Sequence, residues 1–222
     1  MSHSKHYAKS KFPLSVIGVA AILGVMLLGA VDPPAFSQTH YTMNAFLRCT
    51  RDDSIMKAFN LMSDGHGESS LDRIVNRPMR VIFKDMATLH KTLKNYDALS
   101  WISNQGEEII FINDKHRNAP PEALAALIAH EAMHDDEYNS LNEEVQSWQH
   151  EAVVWMEMKS KNPSLGKIPA GQSPLVDREN RIESEYQKGT LEKFVRSSPG
   201  YRKLPESSPG FTLTTATGVL GQ

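Results

Sequence analysis

Apolar residues recur along this chain in several rhythms, and the changes of rhythm mark the elements. Residues 14–31 are an unbroken run of apolar and small side chains. From 38 to 78 the spacing is near-helical: Ile55, Met56, Phe59, Leu61 and Met62 share a stripe that Ser63-Asp64-Gly65-His66-Gly67 interrupts. Residues 80–86 (R-V-I-F-K-D-M) read as a strand, and 87–96 as a short helix with Leu89 and Leu93 one turn apart. Residues 99–104 and 107–113 read as a β-hairpin around Gln105-Gly106. Its second arm, E-E-I-I-F-I-N, is apolar on both faces and should be covered on both sides.

Asn118-Ala119-Pro120-Pro121-Glu122 is a helix start. The prolines suit a first turn that needs no amide donors, and Glu122 suits the positive end of the dipole. The helix is expected to run on through E-A-L-A-A-L-I-A-H-E-A-M-H, as far as His134. A second long helix is predicted over 140–159 and a third over 174–196. Residues 197–222 carry Ser-Ser-Pro-Gly twice, each copy followed by an aromatic, Tyr201 or Phe211, and read as a disordered tail. The fold class predicted is α+β: a small antiparallel sheet packed on the helix ending at His134 and on the helix that follows it.

The N-terminal run changes the picture of where the chain works. Lys5, Lys9 and Lys11 precede it, and Pro33-Pro34-Ala35-Phe36-Ser37 follow, with small residues at both positions a signal peptidase reads. Residues 1–37 are therefore expected to be a secretory signal cleaved after Ser37. The competing reading is an uncleaved membrane anchor, since eighteen apolar residues just span a bilayer. Either reading places residues 38–196, the expected folded domain, outside the cytoplasm, secreted or periplasmic. Any membrane contact would come only through an uncleaved N-terminal segment.

Hydrophobic residues make up 40% of the chain and charged residues 23%, which suits a folded core. The net charge is −2, and without residues 1–37 the 21 basic and 25 acidic side chains leave −4. With no run of five like charges either, nucleic acid is not an expected partner. Cys49 is the single cysteine. It allows no intramolecular disulfide, and the absence of other cysteines excludes a Cys-rich structural zinc site. A buried thiol is expected at Cys49, with dimerisation through it as the other use.

The residues that carry chemistry are His130-Glu131-Ala132-Met133-His134, an H-E-x-x-H motif. About 0.02 such pentamers are expected by chance in a chain of this composition. Histidines four apart on a helix lie on one face, so both can reach one metal ion. Glu131 is rotated about 100° from His130; it is placed to hold and deprotonate a metal-bound water rather than to ligate. The third ligand is sought in the next helix, whose apolar stripe is Leu141, Val145, Trp148, Ala152, Trp155 and Met156. Glu144 lies at the edge of that stripe and is favoured; Glu143 is read as pointing to the opposite side. Ser147, one turn below Glu144, is small enough to let the helices approach. Glu151, on the same edge two turns on, is a candidate to support a ligand from behind. His150 is read as solvated. His66 and His90 have no ligand-spaced partner, and His116 is a candidate to line the cleft.

H-E-A-M-H followed about ten residues later by E-E-V-Q-S resembles the gluzincin class of zinc metallopeptidases, and the element order over roughly residues 80–160 resembles minimal ImmA/IrrE-like members. The resemblance implies a zincin-like domain holding one zinc ion through His130, His134 and Glu144, with Glu131 as general base and a peptide or protein as substrate. Trp148 stands where the class often has Asp or Asn, four residues after the ligand glutamate. The partner of the histidines is thus unassigned, with Asp135 and Asp136 nearby. The edge of the 107–113 strand is expected to pair with an extended peptide. Tyr138, Tyr186 and Arg181 are candidates to stabilise an oxyanion. Two alternatives stay open: a secreted zinc-binding interaction module without catalysis, and a zinc amidase acting on cell-wall material.

Overall fold

The computed structural model describes residues 41–103, 105–135 and 138–208. The expected signal or anchor, residues 1–37, lies outside the described residues, as does the second half of the tail. Among the described residues no helix is long and apolar enough to cross a membrane.

The interrupted stripe of residues 38–78 folds as three helices, α1 (Met43–Cys49), α2 (Asp53–Met62) and α3 (Glu68–Asn76). Thr42 and Asp52 cap the first two by accepting hydrogen bonds from first-turn amides. Ile55, Ala58, Phe59 and Met62 form the buried face of α2. Cys49 is buried, as expected.

Strand β1 (Arg80–Lys84) is followed by a single helical turn, α4 (Met86–Leu89), a 3₁₀ turn (Lys91–Leu93), and strands β2 (Ala98–Ile102) and β3 (Glu108–Asn113). The hairpin forms as expected, with Gly106 at φ +77° in its turn. The sheet is not purely antiparallel, however. Its order is β1-β3-β2, and β1 runs parallel to β3, pairing Arg80 with Ile109 through Lys84 with Asn113. The physical reason lies in the sequence of β3. Ile109, Ile110 and Ile112 are all buried, so this strand takes the centre, where both edges are paired. The α+β class stands; the strand expected to offer a free edge has none.

Helix α5 (Pro121–Glu131) is the spine of the fold. Every residue from Ala123 to Glu131 is buried. A helix apolar on all sides belongs at the centre, and α5 packs against α2, α3, β2, the long helix α6 (Leu141–Lys161) and α7 (Pro174–Gln187). Ser140 caps α6 by accepting from the Glu143 amide. The single helix expected over 174–196 is two, α7 and α8 (Leu191–Ser197), separated at Gly189, whose φ of +68° stops the first. The tail is not disordered from its start. The Leu141 and Asn142 amides donate to the Pro205 and Glu206 carbonyls at 2.8 and 3.1 Å, so the chain after α8 lies across the start of α6.

Candidate metal centre

Helix α5 ends at Glu131, three residues short of the expected His134. The chain then tightens: the Met133 amide donates to the His130 carbonyl at 2.9 Å and the His134 amide to the Glu131 carbonyl at 3.4 Å. This last turn still sets the two imidazoles side by side, with ring centroids 5.3 Å apart. The helix stops here because the chain just beyond His134 is captured from two sides. Asp135 pairs with Arg73 and Arg77, and its amide donates to Glu143 Oε1 at 2.7 Å.

The first turn of α6 supplies the third group. His130, His134 and Glu144 each offer one ligand atom, and these atoms lie within 4.8 Å of one another; His130 Nε2 is 3.8 Å from Glu144 Oε2. Two ligands about 2.1 Å from one zinc ion in a tetrahedral array stand about 3.4 Å apart, so small side-chain movements close the set. The donor chemistry fits a divalent cation as well. Glu144 Oε2 is buried without a hydrogen-bond partner, and burial pushes the Glu144 carboxyl above the usual carboxylate range. Burial alone would depress His134. Glu143 against its ring and the charges of Glu131, Glu144 and Glu143 outweigh that and raise it to about 9. Buried acids crowd two histidines here, a set that a metal ion could balance.

A buried carboxylate also lies behind each histidine. His130 Nδ1 lies 3.0 Å from Glu151 Oε2, the support that the position of Glu151 suggested. His134 Nδ1 lies 3.2 Å from Glu143 Oε2. The expectation that Glu143 faces away is therefore wrong. The stripe of α6 describes its contact with α5, but its first turn also abuts the loop returning from His134, and that loop buries Glu143 on the other side. Glu151 and Glu143, rather than a residue at the Trp148 position, are the carboxylates that lie against the Nδ1 atoms of the two histidines. Asp135 touches neither imidazole, and Asp136 lies outside the described residues. Trp148 packs edge-on against His130 instead, at 5.8 Å.

The group opens into a cleft of about 400 Å³, with His130, Glu131, His134 and Glu144 among the residues lining it. One wall is β2, from Ala98 to Ile102; the chain after α8 contributes Tyr201 and Leu204. Tyr138 lines the cleft, but Tyr186 and Arg181 do not: both pack on Phe194 and its neighbours. Tyr201 is missed by the sequence pattern because its segment reads as tail. Its phenol is raised above its ordinary range by burial and then by Glu144, so it stays protonated.

Two other histidines are corrected. His150 is buried, with Nε2 2.8 Å from Ser70 Oγ, and burial lowers it to about 4. A stripe-based wheel supposes one covered face, whereas Ser70 of α3 meets α6 at His150 on this second side. His116 is buried with Nε2 2.8 Å from Asp97 Oδ1 and does not line the cleft. His66 and His90 are exposed, outside the group. No protein-family model, curated protein or solved structure matches this chain.

Proposed function

We propose that this chain is a zinc-dependent metallopeptidase of the gluzincin type, with His130, His134 and Glu144 holding zinc and Glu131 acting as general base. One observation carries the reading: the carboxylate next to the first ligand histidine lines the same cleft as the His-His-Glu group, beside a strand whose outer edge is unpaired among the described residues. Two imidazoles and a carboxylate suit zinc. Bound there, zinc would lower the pKa of a coordinated water and share the charge that develops on an attacked carbonyl oxygen.

The chain's own residues account for the rest. Glu131 takes the proton of the attacking water and passes it to the leaving amine. The protonated Tyr201 hydroxyl donates to the carbonyl oxygen as it gains charge. The strand β2 aligns the substrate. The Asn113 amide donates to the Asp97 carbonyl and the Ser103 amide to the Glu107 carbonyl, so by antiparallel alternation Leu99 and Trp101 point their backbone groups at β3. Those of Ala98, Ser100 and Ile102 point outward, to the cleft side. An extended peptide can add there as a further strand, which moves the expected docking edge from β3 to β2. This favours a peptide substrate over the cell-wall amide. A catalytic role for Glu131 is what separates the reading from a zinc-binding interaction module, since binding alone needs no base. Residues 1–37 support an extracytoplasmic location.

The test is zinc content together with cleavage of a peptide library by the purified chain. About one zinc per chain and cleavage that a chelator abolishes are expected; a chain without metal, or a zinc-loaded chain that cleaves nothing, refutes the proposal.

A further inference from the structure

Helix α7 lies beyond the residues on which the gluzincin resemblance rests, yet it sends a buried arginine to the back of the centre. Arg178 pairs through its two terminal nitrogens with both carboxylate oxygens of Glu151, the NH2–Oε2 contact being 3.1 Å. The same guanidinium pairs with Glu179 Oε1 at 2.7 Å and, through Nε, with Asp97 Oδ2 at 3.2 Å. Asp97 is held in turn by His116 Nε2 and Lys115 Nζ, each at 2.8 Å. The guanidinium also stacks over the Trp148 ring, 4.9 Å from its centroid. Glu151 and Trp148 are the groups that touch His130 from behind and from the side, at 3.0 Å and 5.8 Å.

Arg178 therefore grips both supports of one ligand. A planar guanidinium matches a carboxylate with two parallel bonds and stacks on an aromatic face at the same time, which a lysine cannot do. Left to itself, Glu151 has a choice of neighbours: Glu179 and His130 both lie against it. With its two oxygens fixed by Arg178, one of them stays on His130 Nδ1, and the ring can turn only about a fixed point. Asp97 anchors the arginine from the residue before β2, so the cleft wall and the ligand share one support.

We propose that Arg178 is a positioning residue of the metal centre, setting His130 for metal binding through Glu151 and Trp148. This rests on His130, His134 and Glu144 being the ligands. Removing the charge outright would leave Glu151, Glu179 and Asp97 with too little compensation and risks unfolding. The informative variant is Arg178→Lys, which keeps a cation among the acids but loses the paired bonds and the stacking.

The experiment measures zinc affinity of the metal-free chain by competition with a chromophoric chelator, beside its melting temperature, for wild type, Arg178→Lys, Glu151→Gln and the double variant. Loss of a group supporting a ligand costs about 10- to 100-fold in metal affinity. Arg178→Lys is expected to weaken zinc by about tenfold while melting within a few degrees of wild type. The double variant should lose less than the product of the two single losses, because Arg178 and Glu151 act in part through one contact. Cobalt bound to Arg178→Lys should show altered visible absorption bands, reporting a moved ligand. Unchanged affinity and cobalt spectrum in Arg178→Lys would overturn the proposal, as would losses that multiply in the double variant. A wild-type chain that takes up no zinc would overturn the metal centre itself, and this inference with it.

Discussion

Glu143 is the sharpest place to test the geometry, because the helical wheel and the structure disagree there. The perturbation is Glu143→Ala. In the structure the carboxylate is buried, contacts His134 Nδ1 at 3.2 Å and accepts the Asp135 amide at 2.7 Å. Hydrogen bonds to a charged group are each worth about 1.5–3 kcal/mol. The alanine thus removes a carboxylate that lies against His134 and a contact that shapes the turn carrying it. Removing a ligand's supporting carboxylate typically costs about 10- to 100-fold in metal affinity, or about 1.4–2.7 kcal/mol, consistent with the loss of one such bond. Glu144→Ala removes a ligand and should cost more than Glu143→Ala. The assay is zinc competition on folded, metal-free protein for both variants, with Glu143→Gln as the isosteric control. The Gln can still accept from Nδ1 and should recover part of the loss. A Glu143→Ala chain that binds zinc as tightly as wild type would show that the wheel was right and that the 3.2 Å contact does not matter.

The same site yields three further expected outcomes. Glu131→Gln should keep fold and zinc while losing about 10²–10⁴-fold in peptide cleavage, measured against metal content on the same sample; a zinc-loaded variant as fast as wild type sinks the hydrolase reading. Ser100→Pro removes an outward-facing amide of β2 without touching its pairing to β3, so melting should hardly change while KM for peptides rises, about tenfold at most for one neutral hydrogen bond. Leu99→Pro, whose amide faces β3, should instead unfold the strand, and equal effects at both positions would contradict the assigned edge. Tyr201→Phe keeps the ring against Trp148 and removes only the hydroxyl; kcat should fall by about 10²–10³ with zinc affinity unchanged, and an unchanged kcat would return the oxyanion role to Tyr138.

Local pattern predicts position well where burial is one-sided, and fails where two neighbours compete for a residue. The H-E-x-x-H motif, the proline start of α5 and the edge position of Glu144 are all set within a few residues of themselves, and each stands in the structure. Glu143 and His150 depart from the pattern for one reason. A helical wheel assumes a single covered face, but α6 is covered by α5, by the return loop at Glu143 and by Ser70 of α3 at His150. The parallel β1–β3 pairing, the Arg178 contacts and the place of Tyr201 depend on residues tens of positions apart, and no local rhythm encodes them. The Tyr201 segment does carry a weak signal, an aromatic after a Ser-Ser-Pro-Gly turn, which reads equally well as solvent-exposed linker.

The charge balance of the centre gives a final, two-sided test. Glu131, Glu143, Glu144 and Glu151 are all buried around two histidines. Without a metal the site compensates by holding a proton: His134 is raised to about 9, so at neutral pH it is charged. Against an unfolded value near 6.5, that charged form contributes stability that is fully present below about pH 6.5. The contribution is lost as pH climbs through about 9. Metal reverses the sign, because a ligand imidazole must be neutral and zinc uptake must expel the proton. Zinc affinity should therefore rise by up to tenfold per pH unit between about pH 6.5 and 9. A ligand present at 100 times its Kd adds about 2.7 kcal/mol to folding stability, and each kcal/mol moves the melting temperature of a domain this size by about 2–4 °C. Chelation at pH 7.5 should thus lower melting by about 5–11 °C under those conditions, with the gap narrower at pH 6.5 and wider at pH 8.5. The measurement is a pair of melting curves, zinc-loaded and chelated, at each pH. A gap that is absent, or that shrinks as pH rises, would mean that no metal displaces a proton from His134.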